Sequence, residues 1–123
     1  MGENLSSPTA FKGLEEAVED LVKMLQRFAW CRMYSMIDRL ANATSKEIVE
    51  QSLYEALRIS RSAYDSKRPL CEDGRTVGPY VAGEDSVKAI LDLLDKDFQS
   101  GLELVRKVAI LALTGYARRG GGD

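Results

Sequence analysis

From Leu14 to Leu40 the residues Leu14, Val18, Leu21, Leu25, Phe28, Met33, Met36, Ile37 and Leu40 recur mostly three or four apart, with no proline among them. That return follows the 3.6-residue helical turn, not the two-residue alternation of a strand. The pattern resumes in Val49, Leu53, Ala56, Leu57, Ser60 and Tyr64, then in Val87, Ile90, Leu91 and Leu94. It closes with Phe98, Leu102, Val105, Val108, Ala109, Ala112 and Tyr116. The fold class this predicts is all-α: an elongated helical bundle of about four helices with an irregular middle segment able to hold two short strands. A chain of 123 residues suits one core, so residues 1–123 are expected to form a single domain. Residues 1–7 and 118–123 are expected to be mobile tails, with 65–83 as the irregular connection.

The boundaries follow from local chemistry. Ser7-Pro8 is a plausible helix start, because proline in the first turn loses no hydrogen bond, and Gly13 is a place to fray or restart. An unbroken helix over 14–40 would run about 40 Å, longer than the roughly 35 Å diameter of a compact chain of this size. Either it breaks near Trp30–Tyr34 or the body is elongated, and the elongated form is the expectation. Thr44-Ser45-Lys46-Glu47 reads as a capping box with Thr44 as the cap. Asp73-Gly74 is a turn signal that Cys71 and Thr76-Val77 could flank as a short hairpin. Asp95 or Asp97 separates the last two helices, and Ser100-Gly101-Leu102-Glu103 offers another capping box.

The sequence has no histidine, which removes Ser-His-Asp and Cys-His catalysis and His-containing metal sites. Its glycines form neither a P-loop nor a dinucleotide fingerprint. Asp92, Asp95 and Asp97 do not converge on one helical face, so they read as a solvated face or a cap, not a metal site. No catalytic residue, metal or cofactor is therefore expected. Met24, Met33 and Met36 are expected to fill the core. Cys31 and Cys71 are expected to be free, largely buried thiols, since cytosolic thiols usually stay reduced. No apolar run approaches the ~20 residues of a membrane span, and the first residues lack a secretory signal. A cytoplasmic protein without membrane contact is the expectation.

The net charge of −2 hides a segmented distribution. Residues 26–68 carry eight basic and five acidic groups, net +3, whereas 69–103 carry three and eight, net −5. On charge alone, ordinary solvated helix faces are the preferred reading over a basic face. Within the basic stretch, Arg58 and Arg61 share one face of a helix, and Lys67 and Arg68 follow its end. Cations there also complement the helix dipole, which is the purely structural explanation. Arg32, Arg39, Arg118 and Arg119 could extend the patch. Phosphate binding needs cations in a row and often stacking aromatics, for which Trp30, Tyr34 and Tyr64 are available.

Three strings carry a resemblance: Met36-Ile37-Asp38-Arg39-Leu40-Ala41-Asn42-Ala43-Thr44-Ser45, Leu53-Tyr54-Glu55-Ala56-Leu57-Arg58 and Arg106-Lys107-Val108-Ala109-Ile110-Leu111-Ala112-Leu113. Across about 20–64 and 84–114 the chain resembles the small subunit of the archaeal type I-A CRISPR interference complex. The resemblance implies a non-catalytic subunit of an RNA-guided DNA surveillance complex that contacts the backbone and large subunits. It would help to hold target or displaced single-stranded DNA, touching guide RNA and target DNA weakly or indirectly, with self-association also open. A net acidic chain is a poor free DNA binder, so strand contact should depend on assembly. The rival expectation is a helical protein-interaction module of another assembly, without nucleic acid contact.

Overall fold

A computed structural model describes residues 13–122, with side chains from 13 to 115. Five helices follow one another: α1 (Leu14–Trp30), α2 (Ser35–Ala41), α3 (Lys46–Asp65), α4 (Glu84–Lys96) and α5 (Phe98–Gly122). The all-helical reading holds. Two of its details do not, because there are five helices and no strand among the described residues. The helix start expected at Ser7-Pro8 and the tail 1–7 lie outside the described residues, whereas the tail expected over 118–123 is, through Gly122, the helical end of α5.

The fifth helix arises because the stretch 14–40 breaks. Cys31 caps α1, the Arg32 N–H donates to Ala29 O at 3.0 Å, and the Met33 N–H donates to Phe28 O at 2.9 Å. This pair of bonds is a Schellman ending, whose next residue takes the left-handed conformation usually given to glycine. Here it is Arg32, at φ 60°. The chain turns and restarts at Ser35, so α1 is 17 residues, about 25 Å long. The elongated body expected from one continuous helix loses its premise.

The core sits where α1 packs on α4 and α5, while α2 packs on α3 and α5 and α3 also meets α4. Phe28, Leu21, Met24, Leu25, Ile37, Leu40, Leu53 and Ile90 are its largest fully buried side chains. Met24 and Met36 are core and Met33 is half-buried. Ser60, placed on the apolar side of α3 by its spacing, is fully buried. Helices α4 and α5 approach closely at Gly101, where a Cβ would lie 2.9 Å from the backbone Cα of Leu94.

The helix starts correct two expectations. Ser45, not Thr44, is the N-cap of α3, its hydroxyl accepting from the Ile48 N–H at 3.3 Å. With the cap one residue later, Glu47 is no longer at the third helical position and the capping box is not formed. Asp97 ends α4 and starts α5. Its carboxylate accepts the Ser100 N–H at 3.2 Å and the Ser100 hydroxyl at 2.9 Å. These bonds hold its carboxyl below the usual range, and Ser100 is bonded within this turn instead of capping a later helix.

Cys31 and Cys71 are joined by a disulfide, with Cα atoms 4.9 Å apart, contrary to the free thiols expected. The separation of 40 residues carries no geometric signal. The turns after α1 and α3 bring the two positions together. In the loop-entropy account, closing a loop of that length stabilises by about 4 kcal/mol.

Candidate nucleic-acid interface

The second half of α3 builds the site. Val49, Ser52, Leu53, Ala56, Leu57, Ser60 and Ala63 face the core, so Arg58, Arg61 and Tyr64, three apart, are left exposed on another side. The helix then ends as α1 does. The Lys67 N–H donates to Tyr64 O and the Arg68 N–H to Ala63 O, both at 3.1 Å, with Lys67 at φ 56°. A left-handed non-glycine residue costs about 1 kcal/mol. At both helix ends the glycine position is taken by a cation, Arg32 or Lys67, near the negative end of the helix dipole.

Three grooves run together along this side. The first, about 850 Å³, has Arg58, Arg61, Tyr54 and Asp65 in its lining. The second, about 480 Å³, shares Arg61 and Asp65 with the first and adds Tyr64, Pro79, Tyr80 and Val81. The third, about 630 Å³, shares Tyr64 and Pro79 with the second and adds Lys67, Arg68 and Thr76. Shared residues make the three one track.

Its far wall is the irregular segment 76–81. One hydrogen bond, from the Leu70 N–H to Val77 O at 2.8 Å, spans the predicted hairpin, and no ladder follows. The turn itself forms: Gly74 N–H donates to Cys71 O, and Gly74 takes φ 86°, which a glycine adopts at little cost. Asp73 accepts the Arg75 N–H at 3.1 Å, and this bond first, then the Arg75 side chain, holds its carboxyl below the usual range.

Side-chain hydrogen bonds from α1 hold the wall at Gly78 and Tyr80 and the start of α4 just beyond it. Arg27 Nη1 donates to Gly78 O at 2.9 Å while its guanidinium lies 5.1 Å from the Trp30 ring centre. The Tyr80 hydroxyl donates to Asp20 Oδ1 at 2.5 Å. Asp20 Oδ2 also accepts the Gly83 N–H at 2.8 Å and the Ser86 hydroxyl at 2.7 Å. The Asp20 carboxylate, and secondarily burial, pushes the Tyr80 phenol up to about 12.

Of the expected site residues, Arg58, Arg61, Lys67 and Arg68 are brought together on the track. Arg68 also donates to Ser62 Oγ at 3.1 Å. Arg39 is not in the lining of the three grooves but pairs at 2.7 Å with Glu55, which lines the first. Arg32 is exposed but lines none of the three grooves. Arg118 and Arg119 lie outside the described side chains. Among the three aromatics considered for stacking, Tyr64 alone lines these grooves. Asp20, Arg27 and Tyr80 were missed: Asp20 lies in an acidic run that the helix dipole explains, and contacts across 50 or more positions leave no periodic trace.

Acidic groups also enter the track. Glu55, Asp65 and Glu84 line the first groove beside Arg58 and Arg61. In the lining of the other two grooves, which hold Arg61, Lys67 and Arg68, Asp65 is the one acidic residue. The end beyond Tyr64 is therefore the more attractive to an anion. Among the described residues no cluster of three His, Cys, Asp or Glu could hold a metal ion. Asp95 is paired with Lys46 at 2.9 Å, and this bond raises the lysine above its ordinary range.

Together the fold and the track define a five-helix domain that presents cations and an aromatic ring along one open groove. The family model for a CRISPR-associated protein, Cas_Csa5, matches residues 24–115, about three quarters of the chain, and the chain belongs to that family. No curated protein and no solved structure matches it. Among the described residues no helix is long and apolar enough to cross a membrane.

Proposed function

We propose that this chain is a non-catalytic small subunit of an RNA-guided DNA interference complex of the archaeal type I-A kind. It holds target or displaced single-stranded DNA along the α3 track while bridging the backbone and large subunits. One observation carries the reading: Arg58, Arg61, Lys67 and Arg68 line grooves that share residues and so form one track. In such complexes base pairing supplies sequence specificity and protein contributes backbone contacts, a role that cations on an open surface suit. The acidic groups in the first groove fit strand contact that is weak alone and reinforced by assembly.

The bridging role draws support from a separate groove of about 410 Å³ between α1 and α5, lined by Leu14, Val18, Leu104 and Leu111 with Glu15, Glu19 and Lys107. Apolar lining with a charged rim suits protein partners. The test is reconstitution of the effector complex with and without this chain, followed by target-strand binding across a salt series. The reading expects weaker binding and a shallower salt slope without the chain. Equal affinity and equal slope would overturn it.

A further inference from the structure

Tyr64 is 63% exposed, more than any other large hydrophobic side chain among the described residues. It stands on the exposed side of α3, opposite the face that packs into the core. Tyr80 is the contrast, half-buried and fixed by Asp20. Tyr64 stands where two grooves join, and Pro79 lines both with it. Arg61 lies on one side of that junction, Lys67 and Arg68 on the other. A planar, uncharged group entering between the Tyr64 ring and Pro79 would thus have cations before and after it, which is the arrangement of a nucleotide: a flat base between two phosphates.

We propose that Tyr64 is a base-stacking residue, and that it makes this track select single-stranded over double-stranded nucleic acid. The inference rests on the strand-holding reading above and deepens it. Phosphate contacts alone cannot make the distinction, since a duplex carries phosphates at higher density. A free π-face can, because duplex bases already cover one another. Stacking on an aromatic ring tolerates any base, so selection is by strandedness and not by sequence.

The test uses the reconstituted effector complex carrying wild-type chain, Tyr64→Phe or Tyr64→Ala, with a mixed-sequence DNA strand containing 2-aminopurine and the matching duplex. Tyr64→Phe keeps the ring and should bind within about twofold of wild type. Tyr64→Ala should lose about tenfold or more for the strand, together with the 2-aminopurine quenching, while duplex binding and the salt slope stay unchanged. Equal strand binding and quenching in Tyr64→Ala and wild type would overturn stacking and leave phosphate holding intact. Loss of affinity in Tyr64→Phe as large as in Tyr64→Ala would also overturn it, pointing to the hydroxyl. Failure of Tyr64→Ala to enter the complex would assign the ring to a protein contact instead. Wild-type strand binding no different from a complex lacking this chain would overturn both inferences.

Discussion

Tyr80 and Asp20, 60 positions apart, are joined at 2.5 Å, and this bond ties the track wall to α1. Tyr80→Phe should destabilise the fold by about 2 kcal/mol, the usual range for a hydrogen bond to a charged acceptor. The pH dependence has a defined sign. An unfolded tyrosine ionises near 10, whereas the folded Tyr80 keeps its proton to about 12. The folded state thus binds more protons between these values, and its advantage falls there as pH rises. Unfolding measured from pH 8 to 12 should show a wild-type advantage over Tyr80→Phe that is constant below pH 10 and shrinks above it. A difference unchanged through pH 12 would contradict the bond.

Gly101→Ala sets two effects against each other. Helix propensity alone favours alanine by about 1 kcal/mol. The new Cβ, however, would lie 2.9 Å from the Leu94 Cα and closer still to its side chain, and backbone cannot step aside as a side-chain tip can. Overpacking of this kind costs about 1–3 kcal/mol, so the variant should unfold at lower urea. A gain in stability would mean that α4 and α5 lie further apart.

Ser45→Ala should cost about 1 kcal/mol through loss of the α3 cap, while Thr44→Ala, at an exposed position, should be close to neutral. Urea unfolding of the two variants checks the assignment, and the reverse order would return the cap to Thr44.

That one-residue shift shows where sequence stops being informative. Both Thr44 and Ser45 can cap, and backbone geometry chooses between them. The helices themselves were legible, because burying one face imposes a period of three to four along Val49–Ala63 as along Val87–Leu94. The break after Trp30 was harder to read: its Schellman turn carries Arg32 where glycine would have signalled an ending. For the same reason Lys67 concealed the form of the turn that closes α3. The Cys31–Cys71 bridge depends on both turns, so it was illegible in turn. On the track, Arg58 and Arg61 were readable as helix-face neighbours, and Lys67 and Arg68 as cations following the end of that helix. Their opposing wall was not, since segment 76–81 has no periodicity and is held by Asp20 and Arg27, both far away in sequence.

Replacement of Arg58, Arg61, Lys67 and Arg68 by alanine tests the central claim most directly. All four are exposed, so circular dichroism should remain helical. Each phosphate contact on a single strand contributes about 0.7 to the slope of log affinity against log salt. Arg58 lies among the acidic groups of the first groove, so between three and four effective contacts are expected. In the assembled complex, the strand-binding slope should flatten by about two to three units, similarly for unrelated sequences. An unchanged slope with unchanged affinity would contradict the account and leave the subunit a bridge between proteins alone.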